Sequence, residues 1–376
     1  MTSKRLAEAK DAISHFNVAW TPAHTIVAQA CLSVLLHING DISEDDLQEF
    51  PLAMYAAEHW VTHARFEGVS PNIKDAMQSL FDPDNHHLSV WLWIDDPRVR
   101  WHRFNRTNHP SQPRETPLHY AAYCGIHEVI EFLIVEREQD VNARGFDHRE
   151  TPLGVASRLG HSEVARALLK HGADAEVRDQ YDWTALERAA ANGYPDVVRV
   201  LLELGADGMA LDKYGNTPLH IAAMDGQWTT GRVLLEQGAE VNAKGKKSSR
   251  PLHRALNEGF ARVLLEFGAD INARDDYGRT PLHEVLEDGS TDVALFLLKK
   301  GANANARDCE NLTPLHMASR EGYLDVVRLL LEFGVDVDGR DDQGQTPFEV
   351  ACAKGHHDVM ELLLKHGAKD PRDVKQ

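Results

Sequence analysis

The tetrapeptide Thr-Pro-Leu-His and its variants return along most of the chain at a nearly fixed interval. They begin at residues 116, 151, 184, 217, 250, 280, 313 and 346, as TPLH, TPLG, TALE, TPLH, RPLH, TPLH, TPLH and TPFE, with steps of 35, 33, 33, 33, 30, 33 and 33. A period of this size marks stacked supersecondary units, none of which can bury its apolar faces alone. The chain is therefore expected to build an array whose stability is a nearest-neighbour sum.

The unit beginning at Thr217 shows why the pattern folds. The Thr217 hydroxyl can cap a helix, and Pro218 suits the first helical position, where its missing N–H is not needed. The small Ala222 and Ala223 let two helices approach closely. Leu234 and Leu235 supply the buried side of a second helix, and Gly238 ends it in a left-handed conformation. Segments such as Asp212-Lys213-Tyr214-Gly215 read as the turn of a β-hairpin finger. The fifth unit departs from the rule: Gly259 to Gly268 is nine residues, against twelve from Gly226 to Gly238. The loss is expected where the second helix begins and should weaken that interface. This unit also has Arg250 in place of Thr and a basic finger with Lys244, Lys246 and Lys247.

These motifs resemble the ankyrin repeat over about residues 112–370. The resemblance implies an all-α solenoid of eight repeats with short hairpin fingers. It also implies that His119, His220, His253, His283 and His316, fourth in their anchors, bond the Thr region and tie neighbouring repeats. The domain reading is a helical region at 1–105, a Pro-containing linker at 106–115, repeats at 116–370 and a tail at 371–376.

Five of the seven Trp (Trp20, Trp60, Trp91, Trp93, Trp101) precede the repeats. Amphipathic patterns there predict helices over Thr25–His37, Leu52–Ala64, Ile73–Phe81 and Leu88–Ile94, with a capping box at Ser43 and Asp46. They would form either a small bundle or an extension packed on the first repeat. The stretches Ala23-His24…Leu36, Phe50-Pro51…Ala64 and Asp96-Pro97…Trp101 resemble the helical segment before the repeats of fungal NACHT–ankyrin receptor-like proteins. That family implies a repeat sensor driven by a nucleotide switch. The switch does not carry over, because no G-x-x-x-x-G-K-[ST] occurs; Gly245-Lys246-Lys247-Ser248 lacks the first glycine and the strand–helix setting.

Other chemistry is equally sparse. His59 and His63 share a helix face, but Trp60 stands where a zincin needs Glu. His86-His87 has no carboxylate at useful spacing. Cys31, Cys124, Cys309 and Cys352 show neither CxxC spacing nor an activating base, so no metal, disulfide or cofactor is expected. No hydrolase, kinase or dinucleotide signature appears, and the chain reads as a non-enzyme. Lys+Arg is 40 against Asp+Glu 58, a net charge of −18, which disfavours nucleic acid and acidic membranes as partners. No secretory or membrane-spanning segment is legible. The expected location is the cytoplasm, with the basic finger leaving nuclear entry open.

The remaining function is recognition. In ankyrin stacks the fingertips and the exposed side of the first helices line one concave surface. Reading those positions gives Tyr181, Trp183, Tyr214, Asn216, Met224, Asp225, Tyr277 and Arg279 as candidate protein-binding residues, with the aromatics as hot-spot centres. Asp225, Glu258, Glu287, Asp288 and Glu321 make the same face acidic, which favours a basic partner segment. The leading expectation is a sensor or scaffold of a fungal receptor-like system. The alternatives are a substrate-recruiting accessory subunit of an enzyme, or an NTPase-lacking remnant that docks onto a NACHT-type protein through Leu52–Ala64.

Overall fold

The computed structural model describes residues 21–38, 40, 42–66, 68–96, 113, 115–145 and 148–370. Trp20, Trp101, most of the expected linker and the tail at 371–376 lie outside the described residues. The chain divides into two compact units, Met1–Ala185 with Glu203–Gly205, and Leu186–Leu202 with Ala206–Gln376.

The first unit opens with α1 (21–37), α2 (Glu44–Glu49), α3 (Pro51–Ala64), α4 (Lys74–Phe81) and α5 (His87–Ile94). The Ser43–Asp46 capping box forms: the Asp46 amide donates to Ser43 Oγ (3.2 Å) and the Ser43 amide to Asp46 Oδ2 (2.9 Å). Trp60, Phe81 and Trp91 are fully buried, and Trp60 meets the other two rings edge-on, with Trp60 and Trp91 centroids 5.2 Å apart. Trp91 Nε1 donates to the Ala57 carbonyl (3.0 Å), whereas the buried Trp60 Nε1 has no acceptor among the described residues. Of the two arrangements open from sequence, the structure takes the extension. Arg137, at the end of the first repeat, grips Asp82 through two bonds of 3.0 and 2.7 Å. His63 shares a hydrogen bond with His24 (2.7 Å between Nδ1 atoms).

Every repeat but the fifth is a pair of short helical segments. In the fourth, Pro218–Met224 and Trp228–Glu236 bury Ala222, Ala223 and Leu234 completely, and Gly238 ends the second helix at φ 92°. No strand is present among the described residues. The fingers are tight turns closed by one backbone bond, as where the Asp212 amide donates to the Asn216 carbonyl (3.0 Å).

The irregular steps have local causes. The step of 35 carries two extra residues. One is taken up by a π-helical turn at Phe132–Glu136, where the Arg137 amide donates to Phe132 five residues back. The other lies in the finger, closed from Gly145 to Glu150 instead of across four residues. In the fifth repeat the lost turn comes from the first helix, reduced to a 3₁₀ turn at Pro251–Arg254; the second helix, Glu258–Glu266, keeps nine residues. This corrects the sequence expectation. The second helix cannot shorten, because Phe260, Val263 and Leu264 are its buried stripe. Nor is the ladder broken there: His253 Nε2 still reaches the Arg279 carbonyl (3.2 Å). The lost turn leaves a cleft of about 470 Å³ lined by second-helix residues such as Thr291 and Phe296, together with Leu256, Asn257 and Ser290.

Gly231 sits inside a helix, where glycine costs about 1 kcal/mol relative to alanine. Its reason is Phe260 of the next repeat, whose Cζ would lie 2.5 Å from an added Cβ. Gly231→Val should therefore lower unfolding free energy by about 2–3 kcal/mol in urea titrations, and Phe260→Leu in the same chain should return part of it.

Candidate protein-interaction surface

Two side-chain types assemble the face made by the fingers and first helices. The first is the anchor histidine. The Thr217 amide donates to His220 Nδ1 (3.3 Å), so Nδ1 is the acceptor and Nε2–H donates to the Ser249 carbonyl of the next repeat (3.0 Å). His283 and His316 repeat the arrangement toward Leu312 and Gln345, each at 3.2 Å, and His119 does so toward Glu150 at 3.1 Å. Burial pulls His220 down to about 4 and lowers His253, His283 and His316, which keeps those four rings neutral. The structural role implied by the resemblance is thus the observed one.

The second type was not singled out from sequence. Asp179, Asp212, Asp275, Asp308 and Asp341 each stand five residues before an anchor. The Oδ1 of each accepts two backbone amides, as Asp212 does from Tyr214 and Asn216, both at 2.8 Å. The recurrence of Asp at one offset was the available signal. In the fifth repeat Gly245 takes this place. Without the carboxylate, Lys247 and Ser248 both turn left-handed (φ 57° and 58°), and the Ser249 amide closes the turn on the Lys246 carbonyl (3.2 Å).

The predicted residues fall into two groups. Tyr181 and Trp183 lie in the first unit, where Tyr181 is exposed beside His148 and Trp183 is half-buried. Tyr214, Asn216, Met224, Asp225, Tyr277 and Arg279 lie in the second. There Tyr214 (50% exposed) and Met224 (44%) are open, and Tyr277 is partly so (36%). Asn216 is tied to Asp212 through its amide and its Nδ2. Arg279 is held by Glu284 (2.7 Å), Glu287 and Asp275, and its side chain is only 23% exposed. Those two residues serve the scaffold. A shallow cleft of about 330 Å³ runs between Lys247, Tyr277, Cys309, Leu312 and Met317.

Pairing also redraws the charge. Of the five acids that made the face acidic, Glu287 is paired with Arg279, Glu258 with Arg262, and Glu321 with Arg320 (2.8 Å). Asp225 and Asp288 remain exposed. No group of three or more metal-ligating side chains occurs among the described residues, and no described helix is long and apolar enough to cross a membrane.

The family described as "Ankyrin repeats (3 copies)" matches residues 95–179, 144–212, 174–245, 243–308 and 300–373. The chain belongs to the ankyrin-repeat family. Among curated relatives, azaphilone pigments biosynthesis cluster protein L of Monascus ruber is 28% identical over 186 residues, covering 46% of this chain and 39% of that protein. Mouse ankyrin repeat domain-containing protein 13B is 40% identical over 76 residues, 20% of this chain and 12% of that one. The chain thus spans well under half the length of these relatives. Among solved structures, the ankyrin domain of Bcl-3, a member of the IkappaB family, is 32% identical with a TM-score of 0.51, covering 57% of this chain and 98% of that one. The human ASB11 ankyrin domain is 26% identical with a TM-score of 0.53, covering 59% and 100%. This ankyrin array is therefore a protein–protein interaction fold, all-α, with helices preceding the repeats.

Proposed function

We propose that the protein is a non-catalytic recognition module that takes a protein partner on the finger and first-helix face of its second unit. The observation that carries this reading is the division of labour on that face. His220, Asp212, Asn216 and Arg279 are consumed by the scaffold, whereas Tyr214, Met224 and, in part, Tyr277 are large, exposed and unneeded by it. Tyr181 and Trp183 supply a second candidate patch on the first unit. The division into a helical region at 1–105, a linker at 106–115 and repeats at 116–370 belongs to the same reading, with the helical region as an extension before the array. The exposed thiols of Cys309 and Cys352 suit a reducing compartment, and the proposed location is the cytoplasm, with the basic finger leaving nuclear entry open.

The setting is a fungal scaffold or sensor, supported by the resemblance of the N-terminal helices and by the Monascus relative. That relative's name, from a pigment biosynthesis cluster, favours one second reading: an accessory subunit that presents a substrate to a catalytic partner. The remnant reading draws on α3, which leaves Leu52 and Tyr55 exposed; nucleotide-dependent co-purification with a NACHT-type protein would select it.

Pull-down from source-cell lysate tests the face. A Tyr214→Ala/Met224→Ala chain of verified helicity should capture at least about tenfold less partner than the parent, while Leu364→Ala, on a second helix, should capture as much. Equal capture by all three chains would move binding off this face.

A further inference from the structure

The fingers of repeats four to six carry a feature that runs against the charge of the whole molecule. In a chain of net charge −18, several solvent-accessible arginines of the second unit are ion-paired: Arg232 with Glu266, Arg262 with Glu258, Arg320 with Glu321 and Arg340 with Glu349. Lys213, Lys244, Lys246 and Lys247 are exposed, yet none lies within ion-pair distance of a carboxylate among the described residues. Three of them stack on the fingertip tyrosines instead. Lys213 and Lys246 Nζ lie 5.0 and 5.9 Å from the Tyr214 ring, and Lys247 Nζ lies 4.4 Å from the Tyr277 ring. Behind them, Arg250 and Arg254 each keep a buried Nε without an acceptor. The substitution of Gly245 for the usual finger aspartate removes the one carboxylate that would sit in the middle of this row. It also produces the left-handed Lys247–Ser248 turn that carries both lysines.

Resting on the recognition reading above, we infer that the fingers of repeats four to six are a docking strip for an acidic peptide segment of the protein partner. Unpaired cations held over aromatic faces meet carboxylates without first breaking an internal ion pair, and the tyrosine rings supply the apolar contact between them. Of the five acids read from sequence, Asp225 and Asp288 are left to receive a basic segment, joined at the fingertips by the exposed Asp276 and Glu310; an acidic segment meets four lysines, three of them already held over tyrosine rings.

The test is fluorescence anisotropy with the full chain and two short labelled peptides, one alternating Glu with Tyr and Gly, the other with Lys in place of Glu. A single-stranded oligonucleotide is the third probe. The Glu peptide should bind at least about tenfold more tightly than the Lys peptide and should weaken with salt. Lys246→Glu/Lys247→Glu should abolish that preference, while Lys299→Glu/Lys300→Glu, an equal charge change at a second-helix end, should leave it within about twofold. Circular dichroism of both variants confirms that they fold. Preference for the Lys peptide, equal loss in both variants, or tighter binding of the oligonucleotide would each overturn the acidic-segment assignment. A basic segment captured at Tyr214 would overturn it too, while leaving the recognition reading in place.

Discussion

Acidification from pH 7.5 to pH 4.5 should destabilise the repeats progressively, beginning above the range where ordinary carboxylates titrate. Four anchor histidines of the second unit are buried and neutral, with Nδ1 accepting and Nε2 donating, and His220 is pulled from 6.5 to about 4. The unfolded chain binds these protons more readily than the folded one. Stability is therefore full above about pH 6.5 and is lost as pH falls toward 4. His220 alone accounts for about 3 kcal/mol over that window. In the first unit His161, also buried and pulled to about 4, adds a loss of the same sign. Glu284 and Asp225, both raised by burial, work in the opposite direction but are two groups against several. Urea unfolding followed at 222 nm across this pH range should show the slope, and His220→Gln should flatten it while lowering stability at pH 7.5. A pH-independent stability between 7 and 5 would mean that the rings are not held neutral.

Arg279→Ala should be the most damaging surface-looking substitution in the array, lowering unfolding free energy by about 3 kcal/mol. Glu284 is 7% exposed, and Arg279 is its ion-pair partner (2.7 Å). Removing the guanidinium leaves a buried carboxylate without its counter-charge. Glu284→Gln in the Arg279→Ala chain should restore a large part of the loss, because the amide needs no counter-charge. The penalty should also shrink as pH falls into the carboxyl range, where Glu284 takes up a proton. A cost below about 0.5 kcal/mol would place this cluster among ordinary exposed ion pairs.

How much of this was legible in the residues follows from what repeats and what does not. A motif that recurs in register fixes its own environment, so the anchors, the histidine ladder and the left-handed Gly238 could be read from the period. The place of a deletion could not. Nine residues between Gly259 and Gly268 say that a turn is missing; only the burial of Phe260, Val263 and Leu264 says which helix lost it. Arg279 illustrates the limit at the site. At a fingertip it reads as a free binding residue, but Asp275, Glu284 and Glu287 converge on it from positions four, five and eight residues on either side. Side-chain pairing of that kind is set by tertiary approach and has no signature in spacing. Tyr214 and Met224 were legible because they are large, apolar and placed where the repeat requires nothing.

The central claim is that the finger and first-helix face of the second unit is the recognition surface. Site-specific photo-crosslinking addresses it directly, with benzoylphenylalanine placed in turn at Tyr214, Met224, Phe333 and Leu364 of the intact chain in source cells. The first two are exposed on the proposed face, and the last two are exposed at or beyond the middle of second helices. Crosslinks to one common protein from 214 and 224, and none to it from 333 and 364, are the predicted result. Crosslinks to that protein from 333 and 364 but not from 214 or 224 would contradict the account.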